Sequence, residues 1–296
     1  MSEWILGIDL GGTNIVAGCV RRDGHALHGF HSEPTRPEEG PDAVVDRIVS
    51  LGRQAMAETR AADPAAEILG VGIGAPGPLD RARGVVLLTP NLGWVDMPLR
   101  ARVGEPLGLD AALDNDANCA VLGEWWRGAA QGTRHAIGVT LGTGVGGGII
   151  IDGRLYHGAS DVAGEVGHIT IDANGRRCAC GNDGCLEAYV SGPAIARRAV
   201  EALNAGAESS LSAIEPAAIT AQSVYQAAAG GDTLARDVVR DTARNLRVLD
   251  FCGRYAVEEQ DRLILEQYRP YILMMNARAR ASMQFKAKKY GEALKT

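Results

Sequence analysis

One histidine and three cysteines stand at spacings that are typical of a metal site. One imidazole and three thiolates can make a closed tetrahedral zinc site, and the cysteines are close enough in sequence for one loop to wrap the ion. Such a site leaves no open position for a substrate. The sequence therefore predicts a structural zinc ion held by His168, Cys178, Cys180 and Cys185. The alternative is three unligated thiols beside an unrelated histidine.

Acidic residues flank these candidate metal ligands. Glu165 lies three residues before His168, and Glu187 lies two residues after Cys185. A rigid, metal-bound loop that carries Glu165, His168 and Glu187 could bind a polyol through hydrogen bonds. The second ring nitrogen of His168 would remain free for a sugar hydroxyl. These three residues are therefore candidates for sugar binding.

Two glycine-rich segments resemble each other and predict a duplicated fold. Residues 7–14 read GIDLGGTN and residues 138–144 read GVTLGTG, and each lies between two apolar, strand-like runs. Backbone N–H groups in such turns can point at phosphate oxygens, and glycine allows the close approach and the positive φ of a tight turn. We expect two hairpins that bind nucleotide phosphates. The alternative is a pair of hairpins with no ligand.

Asp9 favours the phosphate-binding interpretation. A carboxylate at the end of a buried strand is costly unless something compensates it, and Mg²⁺ bound to ATP phosphates would do so. Two other nucleotide motifs are not supported. Residues 142–147 match GxGxxG, but a strand and a turn follow instead of a helix. No lysine follows either loop, which excludes a P-loop.

Residues 114–116, Asp-Asn-Asp, come where a strand is expected to end and a helix to begin. Asp and Asn are favoured helix N-caps, so capping is one interpretation. The other interpretation is catalytic, because phosphoryl transfer to an alcohol uses a base that reaches the hydroxyl, and aspartate is a usual choice. Asp116 suits the role of base, and Asn115 suits that of a sugar-hydroxyl partner.

The composition limits the class of protein. The 296 residues are 46% hydrophobic and 22% charged, which fits two globular domains. A net charge of −6 argues against a broad nucleic-acid interface. No apolar run reaches the ~18 residues of a membrane helix, and the N-terminus lacks the pattern of a signal peptide. We expect a cytoplasmic protein with no membrane or nucleic-acid partner, whose six cysteines form no disulfide framework.

Hydrophobic periodicity and turn residues predict alternating strands and helices. We expect three antiparallel strands within 4–33, a helix at 41–60, a strand at 68–74, a helix from 117 to about 128, a second three-strand pattern at 136–171, and helices at 193–205, 216–229 and 233–246. Residues 247–296 are more charged and contain two glycines. That tail is predicted to form two helices, at 256–267 and 271–293.

Five segments together resemble the signature motifs of the ROK family (repressor, open reading frame, kinase), and within it the bacterial ATP-dependent glucokinases. They are DLGGTN at 9–14, GAPG at 74–77, LGTGVGGG at 141–148, EVGH at 165–168 and CxCGxxGCxE at 178–187. The resemblance covers about residues 4–246. It implies an α/β, actin-like or hexokinase-like (ribonuclease H-like) duplicated fold with a central cleft. The expected parts are an N-terminal domain at 1–116, a C-terminal domain at 117–246 and an atypical helical tail at 247–296.

The resemblance also implies an activity and residue roles. The γ-phosphate of ATP would pass to the 6-hydroxyl of glucose or a related hexose, with Mg²⁺ and a structural Zn²⁺ present, in a homo-oligomer. Asp116 would be the catalytic base. The sugar would be bound by Gly77, Asn115, Asp116, Glu165, His168 and Glu187. Mg-ATP would be bound by Asp9, Gly11, Gly12, Thr13, Asn14, Thr140, Gly142, Thr143 and Gly144.

The resemblance leaves other functions to be weighed. The repressor branch of the family carries an N-terminal helix-turn-helix. Because the first phosphate motif begins within the first ten residues, we expect an enzyme and not a DNA-binding regulator. The tail lacks the strand and glycine-rich turn that hold adenosine in the family, so the alternative is a catalytically impaired, zinc-stabilised sugar-binding remnant. A kinase for N-acetylmannosamine, fructose or another sugar fits the motifs as well.

Overall fold

The computed structural model describes residues 1–246, which form two units. The first unit contains Met1–Gly132 and Arg154–Ala163, and the second contains Thr133–Gly153 and the described residues from Gly164 onward. The sequence prediction divides the domains between residues 116 and 117 instead. The helix that starts at Asp116 packs against strands of the first unit, so the two divisions differ there. The helices predicted at 256–267 and 271–293 lie outside the described residues.

Strands and helices alternate within residues 1–246. The strands are β1 (Ser2–Leu10), β2 (Asn14–Arg21), β3 (Leu27–Pro34), β4 (Ala66–Ala75), β5 (Leu79–Asp80), β6 (Val85–Thr89), β7 (Trp94–Met97), β8 (Ala111–Asn115), β9 (Ala136–Leu141), β10 (Val145–Ile151) and β11 (Arg154–Leu155). The α-helices are α1 (Pro41–Ala62), α2 (Leu99–Leu107), α3 (Asp116–Arg127), α4 (Glu187–Val190), α5 (Gly192–Asn204), α6 (Ala221–Gly230) and α7 (Thr233–Leu246).

The main sheet of the first unit has the strand order β3-β2-β1-β4-β8. The strands β1, β2 and β3 are antiparallel, which confirms the prediction for residues 4–33, and β4 and β8 run parallel to β1. The parallel register aligns Asp9 with Gly74, and Gly74 with Asp114. This register places the C-terminal ends of β1, β4 and β8 side by side at one edge of the sheet.

The alternation of side chains along β1 determines which residues face the core and which face solvent. Every second side chain of the strand points into the core, as expected for a period of two. The buried residues are Trp4, Leu6, Ile8 and Leu10. The core is completed by α1, whose apolar residues recur at helical spacing and include the fully buried Val44 and Ile48. Asp9 points away from this core and remains exposed.

In the second unit, β9 and β10 form an antiparallel hairpin around the second glycine-rich loop. A turn at Asp152 and Gly153, with φ angles of 51° and 72°, follows β10. The three-strand pattern predicted within 136–171 is confirmed, since β9, β10 and β11 form one three-stranded sheet, although β11 has two residues and residues 166–168 form one turn of 3-10 helix. Between them, His157 and Asp161 contact charged groups of the first unit, to which their segment belongs.

Three longer helices, α5, α6 and α7, pack around a second core of aliphatic side chains. Ala199, Val224 and Ala235 are fully buried in it. The single helix predicted at 216–229 is divided into a 3-10 turn and α6, because Thr220 caps α6 in a reciprocal arrangement with Ser223. The helix predicted at 233–246 is confirmed as α7. Among the described residues, no helix combines the length and the apolar character needed to cross a membrane.

Candidate functional site

The corner between β8 and α3 carries Asn115 and Asp116. Asn115 is the N-cap of α3, and its Oδ1 accepts hydrogen bonds from the N–H groups of Ala117 (3.0 Å) and Asn118 (3.2 Å). These bonds satisfy two donors of the first turn. Oδ1 of Asp116 also accepts from Ala117 N–H, at 2.8 Å. The capping interpretation therefore holds for Asn115, and Oδ2 of Asp116 is the oxygen that could meet a hydroxyl.

Asp9 and Asp116 are near enough for their charges to interact. Loss of hydration raises the pKa of Asp9, although this residue is accessible to solvent, and the negative charge of Asp116 raises it further. Burial also raises the pKa of Asp116, against the opposing effect of the hydrogen bond from Ala117. Two carboxylates with raised pKa values at one sheet edge are typical of a functional site and favour a bound cation.

The first glycine-rich loop joins β1 to β2 and is braced by Thr35, which is fully buried. Gly11 N–H donates to the carbonyl of Asn14 at 2.9 Å. The Thr35 hydroxyl donates to the carbonyl of Gly11 at 2.7 Å, and its N–H donates to the carbonyl of Thr13 at 2.8 Å. Gly12, Thr13 and Asn14 are exposed, so a ligand can reach the loop.

One of the two reasons predicted for glycine in these loops, a positive φ, does not apply. Neither Gly11 and Gly12 in the first loop nor Gly142 and Gly144 in the second has a positive φ, so that part of the prediction is wrong. At two of these positions glycine is needed because a Cβ would lie too close to a neighbouring atom. A Cβ on Gly11 would lie 3.0 Å from a backbone carbonyl, and one on Gly144 would lie 2.7 Å from Oε2 of Glu187.

The second loop joins β9 to β10 and is braced from two sides. Gly142 N–H donates to the carbonyl of Gly144 at 3.0 Å, and its own carbonyl accepts from Gly192 N–H at 2.9 Å. Oε2 of Glu187 accepts from Val145 N–H at 2.9 Å. Glu187 is thus a structural partner of this loop, which the sequence analysis did not predict.

The four predicted metal ligands come together in the second unit. The ligand atoms of His168, Cys178, Cys180 and Cys185 all lie within 4.8 Å of one another. Sγ of Cys180 is 3.6 Å from Sγ of Cys185, and Sγ of Cys178 is 3.8 Å from Nδ1 of His168. Tetrahedral Zn–S bonds of about 2.3 Å place sulfurs roughly 3.8 Å apart, so the group is compatible with zinc.

The chemistry of the donors agrees with this geometry. Burial raises the pKa of Cys178 and of Cys185, and hydrogen bonds and charge from neighbouring sulfurs raise the pKa of Cys185 further, whereas a hydrogen bond from the backbone of Asn182 lowers the pKa of Cys180. Three thiols at this separation disfavour one another as thiolates unless a cation balances their charge. The residues present therefore fit a metal ion, and the donor set of one imidazole and three thiols fits Zn²⁺.

His168 presents its two ring nitrogens to different neighbours. Nδ1 faces the sulfur of Cys178, and Nε2 lies 3.9 Å from Oε2 of Glu165. A carboxylate near the second nitrogen of a ligand histidine helps to set its tautomer and orientation. Glu187 differs from Glu165, because its Oε2 meets the second loop and its Oε1 lies 3.8 Å from Sγ of Cys178.

The turn after β4 contains Gly77, which has a φ of 92°. A Cβ at Gly77 would collide with the backbone carbonyl of Leu88, so glycine is required there by both conformation and space. With Gly77, the first unit holds Asp9, Gly11, Gly12, Thr13, Asn14, Asn115 and Asp116. The second unit holds Thr140, Gly142, Thr143, Gly144, Glu165, His168, Cys178, Cys180, Cys185 and Glu187.

Asp114 is a further candidate that the sequence analysis did not single out. Its oxygens accept hydrogen bonds from Asn115 N–H (2.8 Å), Asn118 Nδ2 (3.1 Å) and His157 Nε2 (2.7 Å), and Arg81 Nε lies 3.2 Å away. The Asp-Asn-Asp run contained a clue to Asp114. Its second residue caps the helix and its third suits a base, which leaves the first without an assigned function. Arg81 and His157 are too distant in sequence for spacing to identify them.

The sheet order and the loops at its edge define the class of protein. Three antiparallel strands followed by two parallel ones, with a glycine-rich loop after the first strand, place the chain among α/β proteins of the actin-like, hexokinase-like fold. The chain belongs to the ROK family, whose model matches residues 5–249.

Similar proteins in this family include enzymes and regulators. The chain is 37% identical over 241 residues to a glucokinase from Halalkalibacterium halodurans, covering 80% of this chain and 72% of that protein. The crystal structure of a ROK family glucokinase from Streptomyces griseus, in complex with glucose and AMPPNP, superposes with a TM-score of 0.71 at 36% identity, covering 84% of this chain and 79% of that one. A putative xylose repressor from Caldicellulosiruptor sp. is 39% identical over 199 residues, which are 64% of this chain and 47% of the repressor.

Proposed function

We propose that this protein transfers the γ-phosphate of ATP to the 6-hydroxyl of glucose or a related hexose, with Asp116 as the base. Its broader class is that of its relatives, an ATP-dependent sugar kinase of the hexokinase type. The observation that carries the proposal lies at one edge of the sheet. There Oδ1 of Asp116 accepts from Ala117 N–H and Oδ2 is the oxygen proposed to meet an alcohol, and Asp9 stands beside the first glycine-rich loop.

In the proposed reaction, Asp116 takes the proton of the sugar hydroxyl while the hydroxyl oxygen forms a bond to the γ-phosphorus. The bond between that phosphorus and the bridging oxygen breaks, and its electron pair leaves with ADP. A raised pKa brings Asp116 closer to neutral pH, where proton transfer by a general base is most effective. The amide of Asn115, whose Oδ1 is held by the helix cap, would orient a neighbouring sugar hydroxyl.

The nucleotide would be bound by the two glycine-rich loops. The exposed residues Gly12 to Asn14 and the loop from Thr140 to Gly144 would offer backbone N–H groups to phosphate oxygens. Mg²⁺, when bound with ATP, would neutralise charge on the phosphates and stabilise the charge that develops in the transfer. Asp9 is the residue proposed to face it, because a cation would relieve the repulsion between Asp9 and Asp116.

Zn²⁺ would be held by His168, Cys178, Cys180 and Cys185 in a structural role. Four protein ligands leave no position for a substrate. The ion would fix the loop that carries His168 and Glu187, and with it the orientation of Glu165 against the imidazole. The sugar-binding roles of Glu165, His168 and Glu187, and of Gly77, are part of the same proposal.

The test is a coupled assay of ADP release with the full-length protein. We expect ADP release to depend on glucose and on ATP, and to be lost in Asp116→Asn. Asp46→Asn is the control, because Asp46 is exposed on α1, far along the chain from the corner. Full activity in Asp116→Asn would remove Asp116 from the base role. A panel of hexoses would then rank glucose against mannose, fructose and N-acetylmannosamine.

A second candidate is a catalytically impaired, zinc-stabilised sugar-binding protein, and the similarity to a putative xylose repressor shows that not all relatives are named as kinases. In that case the sugar site functions and the nucleotide site does not. Separate calorimetric titrations with glucose and with ATP analogues distinguish the two. Sugar binding without measurable nucleotide binding would favour the second candidate over the first. A cytoplasmic location and a homo-oligomeric state remain predictions, to be checked by fractionation and by light scattering.

A further inference from the structure

Asp114 lies next to the proposed active-site residues Asn115 and Asp116, but it has no proposed contact with the sugar or with ATP. It is the penultimate residue of β8, and its side chain is 19% exposed. Its Oδ1 accepts from Asn115 N–H at 2.8 Å and from Asn118 Nδ2 at 3.1 Å. One carboxylate oxygen thus holds the backbone of the cap residue and a side chain from the first turn of α3. These bonds fix the corner on which Asp116 stands.

The second oxygen of Asp114 is held from two distant parts of the chain. His157 Nε2 lies 2.7 Å from Oδ2, and because a carboxylate has no proton to give, Nε2 is the donor. Arg81 Nε forms an ion pair with the same oxygen at 3.2 Å. The side chains of His157 and Asp114 are 17% and 19% exposed, so water competes weakly for this bond.

The segment that carries His157 is itself anchored. Arg81 also pairs with Asp161, at 3.4 Å, so Arg81 bridges two acidic residues. Asp161 adopts a φ of 57°, which is uncommon outside glycine and fits the short polar side chain of Asp. Residues 157–161 are therefore held at two points, by Asp114 through His157 and by Arg81 through Asp161.

We propose that Asp114 and His157 are positioning residues for phosphoryl transfer. His157 donates to Asp114, Asp114 holds the backbone of Asn115, and the direction of the Asp116 carboxylate follows from that backbone. This inference rests on the proposed role of Asp116 as the base. Neither residue touches the substrate in this scheme, so their loss affects the rate of the chemical step more than the binding of sugar or ATP.

The experiment compares His157→Leu with His157→Gln in the full chain. Gln can place an N–H donor where Nε2 of the imidazole stands, and Leu cannot. A misplacement of the base by about 1 Å costs up to roughly 100-fold in rate, so we expect kcat to fall roughly 10- to 100-fold in His157→Leu. The KM values for glucose and ATP should change little, and His157→Gln should recover most of kcat.

The matched control is His31→Leu. His31 is 21% exposed and lies 3.1 Å from a carboxylate oxygen of Glu58, in the same unit but away from the corner. Its replacement should leave kcat unchanged. Asp114→Asn is the second variant, for the case that His157→Leu does not fold. It keeps the volume of Asp114 but weakens the acceptor, and it should lower kcat in the same way.

Hydrogen exchange of the peptide 113–120 separates this inference from the proposed function. We expect faster exchange in His157→Leu than in the wild type, His157→Gln or His31→Leu. If the wild type shows no glucose-dependent ADP release, the proposed function fails, and the exchange data still decide whether His157 holds the corner. Unchanged kcat and unchanged exchange in His157→Leu would overturn the inference. So would an equal loss of kcat in the Leu and Gln variants, or a rise in KM at constant kcat.

Discussion

The carboxylate of Glu187 accepts a hydrogen bond from the backbone N–H of Val145, at a distance of 2.9 Å between Oε2 and N. Its other oxygen lies 3.8 Å from Sγ of Cys178. One side chain therefore joins the candidate metal group to the first residue of β10, just after the second glycine-rich loop. A Cβ on Gly144 would lie 2.7 Å from the same oxygen, so this contact explains the glycine as well.

Glu187→Gln should raise the KM for glucose and the KM for ATP by roughly 10-fold each, because Glu187 is proposed to bind the sugar and also braces the second glycine-rich loop. Gln is a weaker acceptor for the N–H of Val145, and hydrogen bonds to a charged group contribute about 1.5–3 kcal/mol. Steady-state kinetics with each substrate in turn measure both values. Glu208→Gln is the control, because Glu208 is exposed in the same unit. An unchanged KM for glucose would count heavily against Glu187 in the sugar site.

Thr35→Val should weaken ATP binding without affecting sugar binding. Thr35 is fully buried and braces the first loop through its bonds to Gly11 and Thr13. Thr59 offers a matched control, since it is also fully buried and its hydroxyl donates to Ala55 at the same distance, 2.7 Å, inside α1. Both Val variants should lose about 1 kcal/mol of unfolding free energy in urea titrations.

Only Thr35→Val should raise the KM for ATP, by several-fold, because only Thr35 touches the loop. A similar rise in Thr59→Val would show that lost stability, and not loop bracing, explains the effect. Equal KM values for wild type and Thr35→Val would show that the loop keeps its shape without the hydroxyl.

Asp116→Asn should lower the activity without lowering the stability of the folded protein. We expect kcat to fall by roughly 100- to 10,000-fold, the usual contribution of a general base. Burial raises the pKa of Asp116 above the ordinary 3.8, so the ionised carboxylate destabilises the folded state, and this loss of stability develops as the pH rises through the raised pKa. At pH 7 the neutral Asn removes that penalty. Thermal unfolding should therefore give a Tm equal to or above that of the wild type, and a lower Tm would contradict the burial argument.

The pH dependence of the rate should reflect the same shift. The acid limb of kcat/KM reports the pKa of the base in the free enzyme, so its midpoint should lie above 3.8.

Asp116→Asn should also lower the pKa of Asp9, since the charge of Asp116 is one of the causes that raise it. Carbon-13 NMR of labelled aspartate side chains would follow Asp9 directly. An unshifted Asp9 signal in the variant would show that the two carboxylates do not interact.

Metal analysis should find one zinc ion per chain. Removal of the ion with a strong chelator should lower the Tm, because ligand binding to the folded state alone stabilises that state. Cys185→Ser should bind less zinc and unfold at lower temperature, since Cys185 is fully buried within the group. Cys119→Ser is the control, because Cys119 lies on α3 in the first unit, and its zinc content should equal that of the wild type. Equal zinc content in Cys185→Ser and the wild type would exclude Cys185 as a ligand.

The sequence was most informative where chemistry depends on neighbours along the chain. The cysteine-rich loop could be predicted as a metal group because a short loop must bring Cys178, Cys180 and Cys185 together. The antiparallel hairpins of β1 to β3 and of β9 to β10 follow from alternation and turn residues. The same local patterns were less exact where capping competes with periodicity. The helix expected at 216–229 is divided at Thr220, which caps α6 together with Ser223.

By itself, the sequence determined the residue types at the site, the family and the local elements of residues 1–246, because these depend on spacing and periodicity. Only the tertiary structure decided which partners hold the acidic side chains. Glu187 accepts a hydrogen bond from Val145, and Asp114 is held by Arg81 and His157. Those partners are separated by tens of residues along the chain, and no local pattern records a contact that forms only when strands and helices pack.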